Sequence, residues 1–161
     1  MAPLRLGLLG GTFDPVHIGH LVAALEARQA LHLDRVLMVV ANDPWQKSTT
    51  RGITPAEDRY AVVCAAVEGV EGVEASRIDL DRGGPSYMVD TVRQLRAEPG
   101  ADLEVFLLVG ADVAAGLDTW HRVDELRPSV RLVVIERGGV GERIDPPGWE
   151  VVHVSIPALD I

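Results

Sequence analysis

The sequence predicts an α/β protein with a doubly wound, mainly parallel β-sheet flanked by helices. Short apolar runs alternate along the chain with stretches of helical spacing, the pattern of parallel strands joined by crossover helices. The runs Leu4–Leu9 and Leu103–Val109 are mostly apolar, which is typical of strands buried on both faces. No repeat, low-complexity tract or long linker divides the 161 residues, so we expect a single domain over residues 1–161.

Each element has its own sequence signal. Strands are predicted over the β-branched and apolar runs Leu4–Leu9, Arg35–Ala41, Val73–Leu80, Leu103–Val109, Val130–Ile135 and Val151–Val154. Helices are predicted where apolar residues recur at helical spacing, over Gly19–His32, Ser86–Ala97, Asp112–Leu117 and Val123–Leu126. A further helix begins with Thr54 as N-cap, Pro55 at the first position and Glu57 completing a capping box. Asn42–Ile53 and Gly138–Gly148 lack periodicity and are predicted as loops.

Composition excludes several classes of function. A formal net charge of -9 argues against a general binder of nucleic acid or of an anionic membrane. No apolar run approaches the roughly 18 residues that a membrane-spanning helix needs. The single cysteine, Cys64, cannot form an intrachain disulfide, which favours a reducing, cytoplasmic setting. The sequence leaves the oligomeric state open, and a homo-oligomer is compatible with it.

The loop after the first strand has the character of a phosphate site. Gly10 and Gly11 follow a strand and precede a helix, where glycines let the backbone approach a ligand and free N–H groups attract anions. Neither the G-x-G-x-x-G dinucleotide pattern nor the G-x-x-x-x-G-K-[ST] pattern is present there. His17 and His20, three residues apart, would share one helical face and could bond one phosphate chain. Residue types alone also allow two ordinary histidines or, with further ligands, a zinc pair.

The segment Gly10–His20, GGTFDPVHIGH, resembles the signature of the HxGH nucleotidyltransferase superfamily in its nicotinate-nucleotide adenylyltransferase form. Four further segments resemble that family in the same order. They are Pro44–Lys47, Asp81–Tyr87 with Asp90-Thr91, Gly110–Asp112 followed by Trp120, and Arg137-Gly138. The likeness spans nearly the whole chain, and it implies a Rossmann-like fold.

The resemblance implies transfer of the adenylyl group of ATP to nicotinate mononucleotide, forming deamido-NAD and pyrophosphate, with Mg²⁺ on the phosphates. It assigns His17, His20 and Lys47 to the triphosphate and to catalysis. ATP would also contact Gly10, Gly11, Thr12, Gly19, Gly110, Asp112 and Arg137. The acceptor would contact Ser86, Tyr87, Asp90, Thr91, Trp120 and His121. None of these residues is expected to be a dedicated metal ligand.

Structural explanations compete with several of these roles. Trp120 could be a core aromatic, and Tyr87 a half-buried packing residue. Asp90 could be a carboxylate on a helix surface, and Asp112 an ordinary helix N-cap. Asp112, in the functional interpretation, accepts hydrogen bonds from a ribose hydroxyl.

The likeness ends at the last residues. Family members continue with a further motif, I-S-S-T-x-I-R. This chain reads Ser155–Ile161 and stops where that motif would begin, so we expect a C-terminal segment beyond Ile161. Phosphopantetheine adenylyltransferase is the nearest rival, but it would have Thr-Asn-Gly-His in place of His17–His20. A cytidylyltransferase and a nucleotide-binding sensor without turnover are two further rivals.

Overall fold

The sheet has six strands, all parallel, in the order β3-β2-β1-β4-β5-β6. The computed structural model describes residues 2–44, 52–138 and 143–159. Within these ranges the strands are β1 Leu4–Gly11, β2 Arg35–Val40, β3 Val73–Ser76, β4 Leu103–Gly110, β5 Arg131–Arg137 and β6 Val151–Ile156. The predicted α/β class and the parallel sheet are confirmed.

Helices and short turns connect the strands. The α-helices are α1 Ile18–Leu31, α2 Ala56–Val67, α3 Ile78–Arg82, α4 Met88–Arg96, α5 Ala111–Ala115 and α6 Val123–Leu126. Single 3₁₀ turns cover Leu117–Thr119 and Arg127–Ser129. None of the helices within the described ranges has the length and hydropathy that a transmembrane segment needs.

Strand β4 shows how the core divides between the two faces of the sheet. Successive side chains of a strand point to opposite faces. Phe106 and Leu108 accordingly pack in the cluster that contains the buried side of α1, whereas Val105 and Leu107 pack in the cluster beneath α4. Both faces are therefore covered, which explains why the strand is apolar from Val105 to Val109.

The strand order reverses between β1 and β4. These neighbours pair in parallel register from Leu4 opposite Leu103 to Leu9 opposite Leu108. The chain moves outward to β2 and β3 on one side and to β5 and β6 on the other. Connections that diverge in this way leave a crevice at the carboxyl ends of the strands, where ligands of doubly wound sheets bind. Gly11 and Gly110 end the two strands on either side of it.

Two sequence predictions were wrong in detail. Thr54 is not an N-cap, because Pro55 occupies that position and the start of α2 has no side-chain cap. Glu57 pairs instead with Arg77 at 2.8 Å. The strand predicted over Val73–Leu80 ends at Ser76, and α3 follows. The alternation of V-E-A-S-R-I-D-L imitates a strand, but the ion pair between Asp79 and Arg82, three residues apart, stabilises a helical turn.

Candidate functional site

A cavity of about 770 Å³ opens at the carboxyl ends of the central strands. Eleven of the residues predicted for the site line it. They come from the ends of β1, β4 and β5, from the region around the start of α1, from the first turn of α5 and from the segments before α4 and after α5, and they include both predicted substrate groups. They are Gly10, Gly11, Thr12, His17, Gly19, His20, Ser86, Gly110, Asp112, Trp120 and Arg137. Residues more than 120 positions apart in the sequence thus meet at the crevice that the topology predicts.

The two glycines that end β1 lie in close packing. A Cβ on Gly11 would lie 3.1 Å from the ring of Phe13, and one on Gly10 would lie 2.9 Å from Cε of Met88. Phe13 itself has a φ of 51°, an uncommon conformation for a bulky residue. Its ring is buried and meets His20 edge-on, with the centroids 4.9 Å apart. The turn is therefore shaped by packing that brings backbone and histidine to the cavity.

His17 and His20 form a reciprocal cap at the start of α1. His17 is the N-cap, and its Nδ1 accepts a hydrogen bond from the backbone N–H of Gly19 at 3.1 Å. The backbone N–H of His17 in turn donates to Nδ1 of His20 at 3.0 Å. The two rings stack with their centroids 3.8 Å apart. The histidines therefore meet through capping and stacking, whereas their spacing in the sequence predicts only a shared helical face.

Capping also selects the tautomer of both rings. A nitrogen that accepts from a backbone N–H carries no hydrogen, so each neutral imidazole has its hydrogen on Nε2. Both rings line the cavity. The arrangement supplies two N–H donors of fixed tautomer, which is what anionic phosphate oxygens accept.

The part of the cavity that the sequence predicts to bind the acceptor includes Ser86. Its backbone N–H donates to the carbonyl of Asp43 at 2.9 Å, and its Oγ accepts from the backbone N–H of Asn42 at 2.8 Å. The loop before α4 is thereby tied to the loop after β2. Trp120 ends the 3₁₀ turn after α5 and lines the cavity, while it also packs against the core beneath α4.

Four predicted acceptor residues lie outside the cavity lining. The rings of Tyr87 and His121 stack on each other with their centroids 4.0 Å apart. Asp90 pairs with Arg93 at 3.1 Å on the surface of α4. Thr91 is fully buried, and its hydroxyl donates to Oδ1 of Asp79 at 2.6 Å. Tyr87 and Thr91 are therefore not lining residues themselves. Tyr87 follows the lining residue Ser86 in the sequence, and Thr91 is hydrogen-bonded to the lining residue Asp79.

Four of the residues predicted to bind the triphosphate or ATP follow. Gly110 is the N-cap of α5, which places Asp112 in the first turn and removes its explanation as an N-cap. Arg137 ends β5 and lines the cavity from the far side. Lys47 lies outside the described residues.

Several residues of the site were not predicted from the sequence. Asp79 and Met88 line the cavity, and so do Ile144 and Leu159 from the C-terminal part of the chain. Asp79 is buried, and its carboxylate is also held by Arg82 at 2.9 Å. No local pattern marks these positions, because their contacts come from distant parts of the chain.

Comparison with known proteins places this site in a class. Residues 8–159 match the model of the cytidylyltransferase-like family. The match includes both histidines, the glycines of the turn and the strands on either side of the crevice. Fold and site together define a nucleotidyltransferase.

Similar proteins identify the family within the class of nucleotidyltransferases. A protein of Corynebacterium kroppenstedtii, named probable nicotinate-nucleotide adenylyltransferase, is 43% identical over 98% of this chain and 75% of its own length. One of Acidothermus cellulolyticus with the same name is 42% identical over 98% of this chain and 78% of its own length. The chain belongs to the nicotinate-nucleotide adenylyltransferase family.

Solved structures agree on the fold. The nicotinic acid mononucleotide adenylyltransferase of Plasmodium falciparum, complexed with NaAD, matches with a TM-score of 0.77 at 14% sequence identity. The match covers 97% of this chain and 77% of that one. At this identity the likeness supports the Rossmann-like architecture alone.

Proposed function

We propose that the protein transfers the adenylyl group of ATP to nicotinate mononucleotide, forming deamido-NAD and pyrophosphate. The observation that carries the proposal is the reciprocally capped pair His17 and His20, which lines a cavity at the switch point of the sheet. Relatives at 42–43% identity bear the name of this activity. In the reaction an oxygen of the acceptor phosphate bonds to the α-phosphorus of ATP, and the bond to the α,β-bridging oxygen breaks. Pyrophosphate leaves with that electron pair.

Positioning and charge neutralisation supply the catalysis. A phosphate nucleophile needs no deprotonation, so no general base is required. In this proposal the Nε2–H groups of His17 and His20 bond phosphate oxygens and stabilise the charge that develops on the bridging oxygen. Glycines 10, 11 and 19 allow close approach of the triphosphate. Lys47 is proposed to add a positive charge from the loop after β2.

The remaining ATP contacts are proposed at the ends of β4 and β5. Gly110 leaves room for the nucleoside, because nothing lies within 4 Å of a Cβ built there. Asp112 is proposed to accept from ribose hydroxyls, and Arg137 to approach the adenosine. Both line the cavity.

Nicotinate mononucleotide is proposed to occupy the side lined by Ser86 and Trp120. Trp120 would stack on the pyridine ring, and the backbone after it, at His121, would meet the carboxylate. Tyr87, stacked on His121, would fix that backbone. Thr91 would act through Asp79, and Asp90 would stay at the edge of the pocket.

Mg²⁺ is proposed to enter with ATP, where it neutralises phosphate charge. The described residues include no group of three or more histidine, cysteine or acidic side chains that could hold a metal ion by itself. Mg²⁺ in nucleotide sites is held largely by phosphate oxygens and water, with only one or two carboxylates. Asp112 is a lining carboxylate that fits such a role.

The deciding experiment measures product formation. ATP with nicotinate mononucleotide should give equimolar deamido-NAD and pyrophosphate, resolved by chromatography. Matched reactions replace the acceptor by nicotinamide mononucleotide or phosphopantetheine, and ATP by CTP. Product formed from phosphopantetheine would replace the proposal by phosphopantetheine adenylyltransferase. Product formed from CTP and not from ATP would replace it by a cytidylyltransferase, and nucleotide binding with no product would replace it by a sensor.

A cytoplasmic setting remains a prediction of the sequence.

A further inference from the structure

Arg59 is a buried arginine in the first turn of α2, and 3% of its surface is exposed. Its guanidinium donates four hydrogen bonds to main-chain carbonyls. The acceptors are the carbonyls of Thr12 at 2.9 Å, Ala41 at 2.7 Å, Asn42 at 3.2 Å and Thr54 at 2.7 Å. One side chain therefore joins the turn after β1, the loop after β2 and the segment that leads into its own helix.

The network continues to the acceptor side of the cavity. Ala41, whose carbonyl Arg59 binds, donates its own N–H to the carbonyl of Gly11 at 2.9 Å. Asn42 donates its N–H to Oγ of Ser86 at 2.8 Å. Arg59 is thus one bond from the turn that carries the phosphate glycines and two bonds from Ser86.

The buried charge of Arg59 makes this arrangement less favourable in free energy than an apolar side chain in the same space. Burial lowers the pKa of the Arg59 guanidinium, and the charge of Asp14 raises it. Burying a charge costs free energy that an apolar side chain of similar volume would not require. The planar fork of arginine is the group that can satisfy carbonyls from several directions at once.

We propose that Arg59 is a positioning residue that sets the distance between the phosphate turn, Gly10–Thr12, and the acceptor loop around Ser86. In-line transfer requires the acceptor oxygen to stand opposite the leaving group, so a small displacement between the two halves lowers turnover. The inference rests on the proposed function and adds a residue that touches neither substrate.

The test compares Arg59→Lys with Val63→Ala. Lysine keeps the positive charge but loses the planar fork, so it cannot hold the carbonyls in the same directions. Val63 is fully buried one turn further along α2 and makes none of these hydrogen bonds, and its truncation destabilises the same helix. We expect Arg59→Lys to lower kcat by about 10²-fold, and Val63→Ala to keep kcat near the wild-type value even if its Tm is lower. A kcat for Arg59→Lys equal to that of Val63→Ala overturns the proposal.

Hydrogen exchange supplies a readout that needs no activity. Peptides covering residues 8–14 and 38–44 should exchange faster in Arg59→Lys than in the wild type. The carbonyls of Thr12, Ala41 and Asn42 lose the donor that holds the two loops together, so the hydrogen bond from the Ala41 amide to the Gly11 carbonyl should open more often. The same peptides should be unchanged in Val63→Ala. Unchanged exchange in Arg59→Lys also overturns the proposal. If the wild type forms no deamido-NAD, the proposed function fails, while the exchange comparison still decides whether Arg59 holds the two loops.

Discussion

The backbone N–H of His17 donates to Nδ1 of His20, while Nδ1 of His17 accepts from the backbone N–H of Gly19. Each ring is therefore bound to the main chain through its Nδ1, and the proposed function assigns its second role to Nε2. The helix start fixes the tautomer, so the fold prepares the donors before any ligand arrives. Stability and catalysis consequently depend on different atoms of the same side chain.

Asparagine substitutions can separate these two roles. Oδ1 of asparagine occupies nearly the place of Nδ1, so at position 20 it can accept the hydrogen bond from the backbone N–H of His17. His20→Asn should keep a Tm close to that of the wild type and lower kcat by about 10²-fold, because only the Nε2 donor is lost. His20→Ala should lose the same turnover and about 1 kcal/mol of stability besides. Full activity in His20→Asn would assign the ring a capping role only. Acceptor binding, measured in the same variants, should change little.

Two glycine-to-alanine substitutions, at Gly110 and at Gly7, test whether Gly110 lies against ATP. A Cβ on Gly110 meets nothing within 4 Å, and the residue's φ of -75° is comfortable for alanine. Gly110→Ala should therefore fold normally and raise the KM for ATP, since the methyl group projects beside the cavity. Gly7→Ala should instead destabilise the fold and leave the KM for ATP unchanged, because its Cβ would lie 2.9 Å from Leu33 and 3.1 Å from Val36. That overpacking should cost about 1–3 kcal/mol, read by urea unfolding, with an unchanged KM for ATP in the folded fraction.

Trp120 is expected to recognise the acceptor. Trp120→Ala removes the face on which the pyridine ring would stack, so the KM for nicotinate mononucleotide should rise about tenfold or more while the KM for ATP stays constant. Because Trp120 also packs against the core, Trp120→Phe serves as the control that keeps an aromatic face. An unchanged acceptor KM in Trp120→Ala would leave the tryptophan with a packing role alone.

Much of this architecture could be predicted from local patterns. Apolar runs ending in glycine identified the strands at the switch point, and the order of strands and helices implied the parallel sheet. Strand order itself, with β4 beside β1, is a tertiary property that no window of sequence contains. The two histidines meet at the cavity for a reason that their spacing in the sequence does not contain, since capping rather than helical spacing brings the rings together.

Arg59 shows why part of the site escaped prediction. Three of its four acceptors lie 17 to 47 positions away in the sequence, and nothing in the helical pattern of α2 distinguishes it from a solvated arginine. Asp79 is a similar case, because its partner Thr91 is 12 positions away. Periodicity reports which side of an element faces the core, and it does not report which buried polar groups find one another.

The bond between Thr91 and Asp79 gives the last prediction. The buried hydroxyl donates to Oδ1 of Asp79 and ties α4 to α3, on either side of the turn that carries Ser86. Thr91→Val keeps the shape and removes the donor, which leaves a buried carboxylate with Arg82 as its remaining partner in these contacts. The free energy of unfolding should fall by about 1–3 kcal/mol, and the acceptor KM should rise more than the KM for ATP. Thr91→Ser, which retains the hydroxyl, should recover most of the acceptor KM despite the lost methyl group; equal acceptor KM values in the valine and serine variants would show that the hydrogen bond does not position Ser86.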